Sequence, residues 1–389
     1  GRMCMENTFS DVMEYVREED VKFIRLAFCD LAGNVKNASI MPDMLEKAFR
    51  HGISFDGSAV KGFEDPEKSD LFLFPDPKML TLLPWRPSHG KVIRLFCDIK
   101  HPDGTPYEYD CRNILKKAVN YAAEKGIRCN FGTEFEFYLF KLDENGNKTD
   151  IPCDNAGYMD VAPQDKGENI RREICLTIEE MGLYPECSHH EEGPGQNEID
   201  FKYSDPISAA DQAVIFKNAA QIIAHKNGYF ASFDPKPIAD KSGSGLHINV
   251  SVNSDDGKDV SEAFIAGVLK HIKEMTYFLN PTTGSYDRLG KMKAPKKIFA
   301  ADENRSALIR IPATNEAKRF ELRSPDGNAN VYLAMALIIY AGVEGVLGKF
   351  SVSDFEKGEL PDSLDKAKEL SENSEFIKKY LPAGIAEKL

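Results

Sequence analysis

The sequence lacks the features that mark membrane proteins and nucleic-acid-binding proteins. Its 389 residues include 62 acidic and 49 basic side chains, giving a net charge of -13, and no block of five or more like charges occurs. Such a surface repels nucleic acid and anionic lipid, so we expect neither as a partner. The longest apolar run, Tyr332 to Gly342, is shorter than a bilayer requires, so we expect no membrane anchor.

Cysteine pairs and nucleotide-binding loops are also missing. The eight cysteines are scattered, with no CxxC pair and no zinc-type spacing, which indicates reduced thiols. The N-terminus lacks the apolar stretch of a secretory signal, and we interpret Gly1 and Arg2 as residues added before a start methionine. We therefore expect a cytoplasmic protein. Neither GxxxxGK[ST] nor GxGxxG occurs, so a nucleotide would have to bind through metal ions and arginines.

Composition and periodicity predict a globular α+β protein of two domains. Hydrophobic residues make up 42% and charged residues 29% of the chain, as in ordinary globular proteins. Strands are predicted at 21–30, 35–40 and 93–99, the last of them half-buried, with a helix at 42–51. Further helices are predicted from a cap at Asp110 to Gly126, at 208–227, 261–279 and 329–348, and as two short helices near the end. A linker at 101–107 divides the chain into proposed domains 1–103 and 104–389.

Four predicted strands carry acidic, imidazole and guanidinium groups on one face. In 131–139, the two-residue period places Glu134 and Glu136 together and the phenylalanines opposite them. The other three strands place Glu198 beside Asp200, His247 beside Asn249 and Ser251, and Glu321 between Arg319 and Arg323. A single strand of this kind is more often a solvated face. Four of them are consistent with one curved, mostly antiparallel sheet that packs on the long helices and forms a polar funnel.

Carboxylates that converge in a funnel repel one another, so cations must lie among them. Hard oxygen ligands with one imidazole are typical of Mg2+ or Mn2+ rather than zinc. Two adjacent histidines, His189 and His190, precede Glu191, and in an extended chain at most one of them can share a metal site with it. Phosphoryl transfer is favoured by five arginines that lie within 36 residues, namely Arg288, Arg305, Arg310, Arg319 and Arg323.

These residues resemble the glutamine synthetase family of the bacterial type over nearly the whole chain. The motifs that carry the resemblance are Phe55-Asp-Gly-Ser58, Gly-Thr-Glu-Phe-Glu-Phe at 132–137, His189-His-Glu191, Gln196-Asn-Glu198, Lys236-Pro237, Gly243-Ser-Gly-Leu-His247, Asn280-Pro-Thr-Thr283 through Arg288, Asn304-Arg305 to Pro312, and Arg319 to Pro325. The resemblance implies a small N-terminal β-grasp domain and a larger catalytic α/β domain. It also implies stacked rings of six subunits, a homododecamer, in which Asp56 reaches the site of a neighbour.

The resemblance assigns a role to each motif residue. It implies that ATP and two to three Mg2+ or Mn2+ ions are bound, with Glu136, Glu191 and Glu198 as ligands of one cation and Glu134, His247 and Glu321 as ligands of a second. Arg288, with Gly243 beside it, would hold the carboxylate of glutamate. Arg305 and Arg323 would stabilise the transferred phosphoryl group. Arg310 and Arg319 would hold the ATP phosphates, with Ser251 and Tyr203 near the nucleotide. Asp56, Glu191 and Tyr158 would form the ammonium pocket.

Two positions depart from the family pattern. The flap, which normally contains a glutamate, has Lys293 in the corresponding segment, and a cation there would repel ammonium. Ser242 stands where the family usually has asparagine. The interpretation that Lys293 faces solvent stays open at this point.

The leading hypothesis is therefore ATP-dependent ligation of ammonia to glutamate through a γ-glutamyl phosphate. One alternative is a γ-glutamyl ligase that uses another amine or carboxylate, because of Lys293. The other is a catalytically idle structural or regulatory homologue, which would bind ATP weakly.

Overall fold

The computed structural model describes residues 8–85, 90–313 and 319–389. Two β-sheets organise the chain, one in the N-terminal part and one in the remainder. The N-terminal sheet ends at Lys100 and the first helix of the larger unit begins at Cys111. The proposed boundary between residues 103 and 104 falls in this connection.

In its described residues, the N-terminal unit is a small mixed sheet with two α-helices. Its helices are α1 (Phe9–Glu18) and α2 (Leu45–His51), and its strands are β1 (Val21–Cys29), β2 (Val35–Ile40), β3 (Ile53–Asp56), β4 (Asp70–Leu82) and β5 (Lys91–Lys100). The strand order is β2-β1-β5-β4-β3, and β1 and β5 are parallel while the other neighbours are antiparallel. The helix predicted at 42–51 begins with a 3-10 turn at Pro42–Met44.

Strand β5 departs from the expected half-buried pattern. Its residues from Val92 to Cys97 are all buried. The face of β5 that was expected to meet solvent is covered by the larger unit. Arg94 lies on that face, and its Nη1 donates a hydrogen bond to Asn218 Oδ1 of the larger unit at 3.1 Å. The central strand of this small sheet therefore lies between two layers.

The larger unit combines nine described strands with helices on one side. The strands are β6 (Ile127–Leu142), β7 (Lys148–Pro152), β8 (Pro185–His190), β9 (Gln196–Phe201), β10 (Tyr229–Ser232), β11 (Leu246–Ser254), β12 (Ala300–Asp302), β13 (Ile309–Ile311) and β14 (Arg319–Leu322). The helices are α3 (Cys111–Glu124), α4 (Glu168–Glu180), α5 (Pro206–Lys226), α6 (Ser261–Leu279), α7 (Thr283–Arg288), α8 (Val331–Gly348), α9 (Leu364–Glu372), α10 (Glu375–Tyr380) and α11 (Ile385–Lys388).

The four strands singled out in the sequence are neighbours in one sheet. The order is β12-β13-β14-β11-β6-β9-β8, with β7 and β10 paired to β6, and every pairing except β12 with β13 is antiparallel. The long helices are confirmed within two residues of their expected ends. The described part of the C-terminal region has three short helices instead of two, because Pro382 and Gly384 separate α10 from α11.

The apolar side of the large sheet packs on the long helices. Phe135 and Phe137 project from β6 away from Glu134 and Glu136, and the ring of Phe135 lies 5.1 Å from that of Phe216 on α5. Helix α8 is long and apolar enough to cross a membrane by length and composition, but 78% of it is buried within the protein, as in a core helix. The polar side of the sheet is thereby left for the site.

Candidate active site

The register of four strands places acidic and imidazole side chains in two rows. In the first row, Glu134 of β6 is paired with His247 of β11 on one side and with Asp200 of β9 on the other. In the second row, Glu136 is paired with Glu198, which in turn is paired with His189 of β8. Because side chains alternate between faces along a strand, both rows point to the same side of the sheet.

A cavity of about 560 Å³ lies over these rows. All of the predicted site residues belong to the described part of the chain, and the cavity lining brings fourteen of them together: Glu134, Glu136, Tyr158, Glu191, Glu198, Ser242, Gly243, His247, Arg288, Lys293, Arg305, Arg310, Glu321 and Arg323. The other four, Asp56, Tyr203, Ser251 and Arg319, lie outside the lining formed by the described residues.

The first group of potential metal ligands surrounds Glu198. One ligand atom from each of His189, Glu191 and Glu198 lies within 4.8 Å of the others, with His189 Nε2 at 3.1 Å from Glu191 and 3.5 Å from Glu198. Burial and the neighbouring Asp200 raise the pKa of Glu198 well above its usual range. Burial likewise raises the pKa of Glu136 to about 7. Carboxylates in such surroundings favour a bound cation, which would offset their mutual repulsion.

The second group is centred on His247. Its Nδ1 lies 2.9 Å from Glu321 and 3.3 Å from Glu134, and one ligand atom of each of the three lies within 4.8 Å of the others. Burial and Arg323 lower the pKa of His247, but Glu321 and Glu134 outweigh them and raise it to about 9. Burial opposes ionisation of Glu321, whereas His247, Arg323 and Arg310 hold its pKa well below the usual value. This carboxylate is therefore charged at neutral pH.

Hard donors dominate both groups. Five carboxylates and one imidazole make up the two sets that the family resemblance assigns, and oxygen-rich sets of this kind fit Mg2+ or Mn2+. Glu136 is paired with Glu198 of the first group and lies 3.6 Å from Nε2 of His247 in the second group. It therefore borders both groups. The residues present thus fit two adjacent divalent cations.

Guanidinium groups also line the cavity, and two of them adjoin the second ligand group. Arg323 and Arg310 bond to Glu321 at 3.1 and 2.6 Å. Arg288 is 3% exposed, and its Nη1 and Nη2 donate to the carbonyls of Ser324 and Arg323 at 2.7 and 2.9 Å. Arg305 is exposed at the rim of the cavity. These guanidinium groups enable the cavity to bind anions.

Gly243 lies against Arg288, as the family resemblance implies. A Cβ atom at Gly243 would lie 2.6 Å from the carbonyl oxygen of Pro235 and 2.8 Å from Cγ of Arg288. Its neighbour Ser242 accepts a hydrogen bond on its carbonyl from the Tyr138 hydroxyl at 2.6 Å. Only glycine permits this close approach of the 242–245 backbone to the arginine.

Three of the four residues outside the cavity lining form a group of their own. Ser251 and Arg319 are paired between β11 and β14, and the Arg319 guanidinium lies 5.8 Å from the centre of the Tyr203 ring. Ser251 and Arg319 lie farther along the strands that bear His247 and Glu321, and Tyr203 follows β9. Asp56 is exposed on the N-terminal sheet and accepts hydrogen bonds from Ser58, so this chain alone does not bring it to its own cavity.

Lys293 lines the cavity at its rim. Its Nζ lies 2.7 Å from Glu192 Oε1, and the side chain is 59% exposed. The expected repulsive cation is therefore present, but a carboxylate accompanies it. Tyr158, which is 54% exposed, has an edge-to-face contact with His189 at 5.5 Å.

Sequence reasoning assigned no role to several residues of the site. His189 shares the first group with Glu191, whereas His190 is buried and lies 2.9 Å from Asp154. Asn249 donates to Glu134 at 3.0 Å, and Gln196 donates to the Gly243 carbonyl at 3.0 Å. The two-residue period of β9 and β11 had already placed Asp200 and Asn249 on the face of the predicted ligands, and it places Gln196 there too, but periodicity alone assigned none of them a role.

Comparisons with known proteins show the family that this chain resembles. Residues 20–102 match the family model described as the β-grasp domain of glutamine synthetase, and residues 108–388 match the one described as its catalytic domain. Glutamine synthetase of Methanosarcina mazei is 43% identical, covering 96% of this chain and 90% of the relative. Glutamine synthetase of Clostridium saccharobutylicum is also 43% identical, covering 96% and 91%.

Solved structures show the same fold. The structure titled GmaS/ADP complex superimposes with a TM-score of 0.87 at 29% identity, covering 97% of this chain and 93% of that one. The glutamine synthetase of Plasmodium falciparum superimposes with a TM-score of 0.86 at 24% identity, covering 98% and 95%.

Proposed function

This chain belongs to the glutamine synthetase family, and we propose that it joins ammonia to glutamate at the expense of ATP. Members of the family act on small molecules and use ATP with divalent metal ions. The observation that carries the proposal is the meeting of two carboxylate and imidazole groups with buried and rim arginines in one cavity.

The reaction proceeds through two substitutions. A γ-carboxylate oxygen of glutamate attacks the terminal phosphorus of ATP, the bond to ADP breaks, and γ-glutamyl phosphate forms. Ammonium gives up a proton in the acidic pocket, and the resulting ammonia attacks the acyl carbon. Inorganic phosphate leaves, a second proton passes to phosphate or solvent, and glutamine results. The divalent cations, when bound, neutralise the phosphate oxygens.

The metal ligands would come from the two rows of strand residues and from Glu191 and Glu321 beside them. We propose Glu136, Glu191 and Glu198 for one ion and Glu134, His247 and Glu321 for a second, with His189 beside the first set. Two to three Mg2+ or Mn2+ ions are consistent with this number of carboxylates. The pairing of Glu321 with Arg310 and Arg323 supports the close approach of a phosphate to the second ion.

The arginines would hold the two anionic substrates. Arg288 would bind the carboxylate of glutamate, because its fixed, buried guanidinium borders Gly243 and the cavity. Arg305 and Arg323 would neutralise charge on the transferred phosphoryl group. The proposed nucleotide contacts are Arg310, Arg319, Ser251 and Tyr203, and the last three lie together beyond the cavity lining.

The ammonium pocket would be completed by a second copy of the chain. We place Glu191 and Tyr158 of one copy with Asp56 of a neighbour in this pocket, within a homo-oligomer of hexameric rings in the cytoplasm. The exposure of Asp56 on the N-terminal sheet supports its availability to a neighbour. Lys293 does not require a different amine, because Glu192 offsets its charge.

The test is a comparison of turnover in matched variants. Purified protein given ATP, Mg2+, glutamate and ammonium should release phosphate and form glutamine in equal amounts. Glu198→Gln should lower turnover by at least about a hundredfold, because it removes a proposed metal ligand. Glu180→Gln, an exposed position on α4, is the control and should match the wild type. Phosphate release that needs another amine, or no ATP binding at all, would reject the proposal in favour of the alternative ligase or the idle homologue.

A further inference from the structure

A thiol, an imidazole and a carboxylate meet at the edge of the large sheet. Cys187 of β8 is paired with Asp200 of β9, and His189 lies two residues beyond Cys187 on the same face. One ligand atom of each of Cys187, His189 and Asp200 lies within 4.8 Å of the other two. This spacing is compatible with simultaneous bonds to one ion.

Two atoms of these residues have unused bonding capacity. His189 Nδ1 and Asp200 Oδ1 are buried, and neither has a hydrogen-bond partner within the part of the chain that the structure describes. The other ring nitrogen of His189, Nε2, lies 3.1 Å from Glu191 Oε1. Unpartnered buried polar atoms are costly, and a shared cation would satisfy both of them.

The donor set selects the kind of ion. Mg2+ and Mn2+ prefer oxygen, whereas one thiolate, one imidazole and one carboxylate suit zinc. The Cys187 side chain is exposed, which gives an ion access from solvent. We propose that Cys187, His189 and Asp200 form a separate binding site for Zn2+ or a similar thiophilic divalent cation, with water as the remaining ligand. The ion displaces the thiol proton, which passes to solvent.

Occupation of this site would affect the neighbouring cations. His189 also belongs to the group with Glu191 and Glu198, and Asp200 belongs to a further group with Glu134 and Glu198. A zinc ion would draw both shared side chains towards itself and place two positive charges beside the proposed metal ligands. Zinc should therefore inhibit turnover even when Mg2+ is saturating, and this consequence rests on the proposed function.

The binding experiment does not depend on turnover. Zinc is titrated into the protein in excess Mg2+ against a chromogenic chelator, and the zinc environment is measured by X-ray absorption. The wild type should show one sulfur ligand at about 2.3 Å. Cys187→Ala should lose the sulfur signal and bind zinc at least about tenfold more weakly, whereas Cys175→Ala on α4 should keep both properties. Cys187→Ser should behave as the alanine variant does, which separates loss of the ligand from misfolding.

Two results would overturn the proposal. The first is a wild-type zinc environment without sulfur, and the second is unchanged zinc affinity in Cys187→Ala. The inhibition is measured separately, as the zinc concentration that halves turnover, and it should rise at least about tenfold in Cys187→Ala. A protein that binds zinc through sulfur but forms no glutamine would reject the proposed function and leave the zinc site intact.

Discussion

The ion pair between Lys293 and Glu192 controls the charge at the rim of the cavity. Lys293→Gln would leave Glu192 without its cation and make the rim more negative. We expect KM for ammonium to fall by about two- to fivefold, with little change in KM for ATP, because an exposed pair is worth about 1 kcal/mol or less. Steady-state kinetics at varied ammonium measure this. The control is Lys297→Gln, an exposed lysine outside the described cavity lining, which should leave KM for ammonium unchanged. An unchanged or higher KM in Lys293→Gln would show that this charge does not act on ammonium.

Gly243 tests the proposed glutamate pocket. In Gly243→Ala the added methyl would meet the Pro235 carbonyl at 2.6 Å and displace Arg288. KM for glutamate should rise by about tenfold or more, because a displaced guanidinium loses its paired contact with the carboxylate. Gly284→Ala is the matched control, since its new methyl would lie 3.5 Å from the same proline. Equal kinetics in the two variants would argue against the role given to Arg288.

At the scale of elements, α6 and α8 pack through glycines. A Cβ atom at Gly267 would lie 2.0 Å from the Ala341 carbonyl oxygen and 2.8 Å from the Gly345 nitrogen, both of them backbone atoms that cannot rotate away. Gly267→Ala should destabilise the protein by about 1–3 kcal/mol despite the better helix propensity of alanine. Thermal unfolding measures the loss, with Gly284→Ala on α7 as the reference. A higher melting temperature in Gly267→Ala would mean that the helices can separate without cost.

The elements were also the part of the fold that the sequence predicted best. Residues 131–139 alternate so regularly that their acidic and aromatic faces could be assigned directly, and the long helices carried enough apolar residues to be located. Burial of both faces of β5 could not be predicted, since the layer that covers it comes from α5, far along the chain. The same limit explains why the sequence did not decide whether His189 or His190 shares a metal site with Glu191. Its pairing with Glu198 depends on strand register, which local periodicity does not reveal.

At the scale of the whole molecule, a buried ionic network joins the two units. Arg112 on α3 bonds to Asp211 on α5 and to Asp76 on β4, each at 2.9 Å. Arg112→Met would leave these carboxylates without their guanidinium partner and should destabilise the protein by about 3–5 kcal/mol. Lys116→Met, which removes a more exposed partner of Asp76 and Asp98, should have a smaller effect. Urea unfolding midpoints would compare the two variants, and equal losses would contradict a special role for the buried arginine.

The central claim is that one cavity holds two adjacent divalent cations on carboxylate and imidazole ligands. Mn2+ binding followed by electron paramagnetic resonance tests it without any assumption about the reaction. We predict at least two bound Mn2+ ions per chain in the wild type. Glu198→Gln should lose one of them, whereas Glu180→Gln should keep both. Retention of every bound ion in Glu198→Gln, or the absence of tight Mn2+ binding in the wild type, would contradict the account.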